Sequence, residues 1–216
     1  NEVLGRPAVA AIETIDAAPD LAVLDGGEAL VEERVRALGR LGTRHVLVVG
    51  APVPPERSAR IGEAACSAGM RLLGPGSLGL ARPREGLDLT AAIARLSPGP
   101  LAIVSQSSAV CAALLDFAEG SGVGLSTVAS TGIDVSVHAV LDYLAFDSAT
   151  RSVVVYMEGV RDARRVRTSL RALARTKPVV VLKAGGNDVG ARARLTHSDV
   201  VASDRSTFED AMRRCG

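Results

Sequence analysis

Short apolar runs and longer stretches of helical spacing follow one another along almost the whole chain, and this alternation restricts the fold more than any other feature. Asp20–Asp25 (DLAVLD), Arg44–Gly50 (RHVLVVG) and Arg71–Leu73 read as strands. Between them lie Glu28–Arg40, whose Leu30, Val31, Val35 and Leu38 share one helical face, and a second helical stretch at Pro55–Gly69. A period that switches between a short continuous run and about 3.6 residues marks a βαβαβ unit. Such units build parallel sheets with right-handed crossovers.

Pro83–Pro100 contains three prolines and breaks the alternation, which places an expected boundary near residue 96, between domains 1–96 and 97–216. The pattern then restarts. Strands are expected at Leu101–Ser105, Gly124–Ser130, Ser152–Met157 and Pro178–Lys183, and helices at Ser107–Gly122, Val137–Phe146, Ala163–Arg175 and Arg205–Arg214. Four strands interleaved with helices predict a flavodoxin-like, doubly wound second domain, whose ligands lie beyond the carboxyl ends of the strands.

Composition excludes several function classes. With two Tyr, three Phe and no Trp there is almost nothing on which single-stranded nucleic acid could stack. A net charge of +1 is too small for a phosphate-backbone binder, so no nucleic-acid partner is expected. Cys66, Cys111 and Cys215 form no CxxC pair, which argues against a disulfide framework and against a metal site. No apolar run approaches the roughly 18 residues of a membrane span. With no signal peptide at the start, no membrane partner and a cytoplasmic setting are expected.

Gly74-Pro75-Gly76-Ser77-Leu78-Gly79 matches GxGxxG in letters, but Pro83 follows closely and argues against the helix a dinucleotide fingerprint needs. A glycine turn at a strand end, exposing N–H groups to a ligand, is the better reading. Ser105-Gln106-Ser107-Ser108 stands where a strand turns into a helix, so hydroxyls, terminal amides and the helix dipole converge there as in an anion site. Plain N-capping by a serine is the simpler alternative. His45 and His138 read as structural or exposed. His197 sits in a polar loop, Leu195-Thr196-His197-Ser198-Asp199. Glu158, which ends the strand VVVYMEG, is the kind of carboxylate that holds an imidazole in one tautomer.

The order GPGSLGL, LAIVSQSSAV, VVVYMEGV, KPVVVLKAGG, THS and FEDAMRRCG resembles the NDP-forming acyl-CoA synthetases, the superfamily of the succinyl-CoA synthetase α subunit. The SQSxAV variant is most similar to the acyl-CoA-synthetase-like region of bacterial protein lysine acetyltransferases. The resemblance implies an α/β fold: a Rossmann-like CoA-binding domain, incomplete here because its first βα unit would precede Asn1, followed by a flavodoxin-like doubly wound parallel sheet. It implies His197 as a phosphorylated histidine and Glu158 as the carboxylate that orients it. It implies Ser105 and Ser107 as phosphate-binding hydroxyls, and Gly74, Pro75, Ser77 and Gly79 as the segment near the CoA thiol. The implied cofactors are CoA or acyl-CoA, with ATP/ADP and Mg bound by a partner ATP-grasp domain or subunit, in an oligomer. Gly76, Ser108 and Asp199 depart from the family's asparagine and two glycines. They favour the alternative function, a non-catalytic acyl-CoA-sensing domain attached to an acetyltransferase domain.

Overall fold

Two compact units, one ending at Ser77 and the other beginning at Leu78, make up the computed structural model. The structure describes residues 2–3, 5–27, 29–50, 53–131, 137–159, 162–184 and 205–215.

In the first unit a small antiparallel pair, β1 (Glu2–Val3) and β2 (Arg6–Pro7), precedes β3 (Leu21–Asp25), α1 (Val31–Leu41), β4 (His45–Val49), α2 (Pro55–Ser67) and β5 (Arg71–Ser77). The three long strands are parallel in the order β3-β4-β5. Val31, Val35 and Leu38 of α1 and Ile61, Ala64 and Ala65 of α2 close over Val46, Val48 and Leu72. Pro55 starts α2, where its fixed φ suits a first helical residue and its missing N–H costs nothing.

The second unit opens with β6 (Gly79–Arg82) and β7 (Leu87–Thr90), then β8 (Pro98–Ser105), α3 (Ser108–Gly120), β9 (Leu125–Ser130), α4 (Val137–Phe146) and β10 (Ser152–Met157). It ends with α5 (Ala163–Ala174), β11 (Val179–Lys183) and α6 (Arg205–Arg213). Six strands lie in the order β11-β10-β8-β9-β6-β7. β11, β10, β8 and β9 are parallel, as the alternation predicts. β6 and β7 join antiparallel at the β9 edge. The expected boundary near residue 96 lies beyond this hairpin, whereas the division by contacts falls before it. Pro83 occupies the turn after β6, where no ladder N–H is required, so the proline that interrupts the sequence pattern does not interrupt the sheet.

β8 is buried on both faces. Ile103 packs with Cys111, Leu115 and Ala118 of α3, while Ala102 and Val104 pack with Leu141 and Leu144 of α4 and Leu170 and Leu173 of α5. Each fully buried leucine contributes about 1.5–3 kcal/mol. Because α3 lies on one face and α4 and α5 on the other, the winding reverses between β8 and β10. That reversal opens a crevice at their carboxyl ends. Among the described residues no helix is long and apolar enough to cross a membrane.

Candidate phosphate site at the carboxyl edge of the second sheet

Parallel pairing brings several chain-distant residues to one edge. Ser105 at the end of β8 is in register with Tyr156 of β10 and Ser130 of β9, and Met157 is in register with Lys183. Gly79 comes to the same edge, since β6 runs antiparallel to β9 with Leu80 opposite Ala129. Its φ of +120° and the Leu89 carbonyl oxygen, 2.2 Å from where a Cβ would stand, leave room for glycine alone.

The Ser105–Ser107 turn closes on itself. Ser105, fully buried, donates through Oγ to the Ser107 carbonyl (2.7 Å) and accepts from the Ser107 N–H (3.1 Å). Ser107 caps α3, its Oγ accepting from the Val110 N–H at 3.3 Å. The first turn of α3 carries no acidic residue, so nothing on the helix itself offsets its dipole at the leading amides of Ser108 and Ala109. Of the two serines, Ser105 shapes the turn and Ser107 stands at the helix mouth.

Across the crevice, Glu158 follows β10 and is half-buried. Its main chain is held from both sides. The Glu158 N–H donates to Gln106 Oε1 at 2.6 Å, and its carbonyl accepts from Lys183 Nζ at 3.0 Å. Lys183 also donates to the Ala184 carbonyl at 3.0 Å and lies 5.7 Å from the centroid of Phe208. Among the described residues the Glu158 carboxylate has no hydrogen-bond or ion-pair partner, which leaves it able to meet an external donor. Gln106 and Lys183 are the contributors that pattern reading did not assign. No periodicity announces a side-chain amide that grips a neighbouring loop.

His197 and its neighbours Thr196–Asp199 lie outside the described residues. Gly74, Pro75 and Ser77 belong to the first unit, at the end of β5. There Gly74 has φ +95°, and an added Cβ would stand 2.1 Å from the Val48 carbonyl oxygen. Gly26, Gly27, Gly50 and Gly76 gather at the same carboxyl ends as Gly74, giving a rim of bare backbone. Among the described residues no group of three or more His, Cys, Asp or Glu is placed to hold a metal ion. His45 is exposed, with Nδ1 3.0 Å from the Asp20 carbonyl oxygen.

The sequence profile described as "Succinyl-CoA ligase like flavodoxin domain" matches residues 98–216. The chain is 32% identical over its whole length to "Acetate--CoA ligase [ADP-forming] I" of Archaeoglobus fulgidus, covering 33% of that protein. It is 35% identical over 71% of its length to "Acetate--CoA ligase [ADP-forming] I subunit alpha" of Pyrococcus furiosus, covering 34% of it. The chain thus spans about a third of the length of these curated relatives. Among solved structures, the dinucleotide forming acetyl-coenzyme A synthetase 1 of Ca. Korarchaeum cryptofilum, in complex with phosphate and ADP, superposes with a TM-score of 0.92. That match covers 99% of this chain and 48% of the other at 26% identity.

Proposed function

Because the chain belongs to the family of succinyl-CoA-ligase-like flavodoxin domains, we propose that it is the α-subunit-like module of an NDP-forming acyl-CoA synthetase. The overall reaction is acyl-CoA + NDP + phosphate ⇌ carboxylate + CoA + NTP. The observation that carries this reading is the pairing, across the β8/β10 crevice, of a serine-capped helix N-terminus with a carboxylate held by its main chain. One side fits an anion and the other fits a proton-bearing base.

Phosphate enters at the mouth of α3, where Ser107 and the leading amides of the helix offset its charge. Attack of phosphate on the thioester forms the acyl phosphate and releases CoA. A ring nitrogen of neutral His197 then attacks phosphorus. The P–N bond forms, the P–O bond to the acyl group breaks, and the carboxylate leaves. Glu158 holds the proton on the other ring nitrogen and stabilises the cationic ring. Transfer to NDP regenerates neutral histidine.

The glycine turns of the first unit fit a CoA chain, since Gly50, Gly74 and Gly76 hold the left-handed backbone that brings peptide groups to the carboxyl ends of the strands. The nucleotide, with its Mg, belongs to an ATP-grasp partner.

The test uses the intact parent protein with that partner domain or subunit. Incubation with γ-labelled ATP and Mg is expected to place acid-labile phosphate on His197, and none on a His197→Ala variant. A folded wild-type protein that takes no label overturns the relay and leaves acyl-CoA sensing beside an acetyltransferase domain, the reading that Asp199 favours.

A further inference from the structure

β8 leaves the sheet after Ser105, whereas its neighbour β10 continues past the position opposite. The Gln106 N–H makes the last main-chain bond of the ladder, donating to the Tyr156 carbonyl at 3.1 Å. Beyond that point the Gln106 side chain takes over. Oε1 accepts from the N–H groups of Glu158 (2.6 Å) and Gly159 (3.0 Å), and Nε2 donates to the Gly159 carbonyl (2.9 Å). Only this orientation of the amide matches acceptor to donors and donor to acceptor; the flipped amide would set its NH2 against two N–H groups. One side chain therefore bridges the crevice at the point where the winding reverses, and extends the strand pairing by two residues that β8 no longer supplies.

We propose that Gln106 is a positioning residue. By fixing the Glu158–Gly159 main chain against β8, it determines where the Glu158 carboxylate stands, and so how well that carboxylate meets the reacting imidazole. The inference rests on the relay through His197 and Glu158. Lys183 holds the carbonyl side of the same peptide from β11, so Gln106 is the restraint on the side of the phosphate-binding helix. Without it the turn is tethered at one end only.

Gln106→Met keeps the length and approximate volume of the side chain while removing every hydrogen bond, and thermal unfolding checks that it folds. In the intact protein with its nucleotide-binding partner, the rate at which label passes from γ-labelled ATP to His197 is compared among wild type, Gln106→Met, Glu158→Gln and the double variant. Gln106→Met is expected to slow labelling by about 10- to 100-fold. Deuterium exchange at the Glu158 and Gly159 amides is expected to accelerate. The double variant should be no slower than Glu158→Gln alone, because both changes act through one carboxylate. The proposal is overturned if Gln106→Met labels as fast as a wild type that labels, if the two losses multiply, or if amide exchange is unchanged. A wild type that takes no label removes the relay, and this role with it.

Discussion

Lys183 donates its ammonium to the Glu158 carbonyl at 3.0 Å, tying the end of β11 to the end of β10. The same nitrogen reaches the Ala184 carbonyl at 3.0 Å and approaches the Phe208 ring, so its charge is engaged by protein groups already present. Lys183→Met removes the charge-assisted hydrogen bonds to the Glu158 and Ala184 carbonyls and is expected to lower stability by about 1.5–3 kcal/mol. The loss should be the same with and without inorganic phosphate, because the ammonium serves the turn and not the anion. Urea denaturation of both proteins, at several phosphate concentrations, reads this directly. An unchanged midpoint would show that the contact contributes nothing.

Asp147 closes the end of α4. Burial pushes its carboxyl upward. The Thr150 hydroxyl at 2.6 Å, the Ala149 N–H at 3.3 Å and the charges of Arg82 and Lys177 outweigh this and hold it below the ordinary 3.8. The unfolded chain therefore takes up this proton first as the medium is acidified. Its stabilisation is complete above pH 3.8 and is lost as pH falls from there through the lower native value. Asp147→Asn is expected to cost about 1–3 kcal/mol at neutral pH, since Arg82 and Lys177 lose a charged partner. It should also flatten the acid limb of the stability curve below pH 4. A variant curve parallel to the wild type through that range would contradict the assignment.

The three cysteines differ in access. Cys66 is exposed on α2, whereas Cys111 and Cys215 are buried. Burial pushes the Cys111 thiol up to about 12. Brief iodoacetamide treatment of the native protein at pH 8 should alkylate Cys66 and leave Cys111 unmodified, as mass spectrometry of peptides will show. Unfolding should expose all three. From pH 9.0 to about 12 the unfolded chain ionises at this thiol while the native protein retains the proton, so stability should fall across that window. Native-state alkylation of Cys111 at the rate of Cys66 would mean that its packing against β8 opens readily.

The parallel strands and the helices of the second unit were legible because each buries a stripe or a face of its own. Leu141 and Leu144, or Val153 and Val155, declare their period without help from distant residues. β6 and β7 carry no such mark. They are four residues long, are separated by Pro83, and hold their place by pairing with β9, a contact that no local pattern encodes. Within the candidate site, Ser107 and Glu158 were readable as a cap and a strand-terminal carboxylate. The restraint by Gln106 was not, because an amide that spans from one strand end to the next becomes visible only once the strands are side by side.

Ser105 gives both faces of its hydroxyl to residue 107 and none to the crevice. With Ser105 so engaged, a phosphoryl group docking there would draw most of its hydrogen bonds from peptide nitrogens, which every residue except proline carries. Recognition written in the path of the backbone tolerates wide change in side chains. Serine at position 108, in place of the glycine that the family resemblance anticipates, keeps the peptide N–H and adds a hydroxyl.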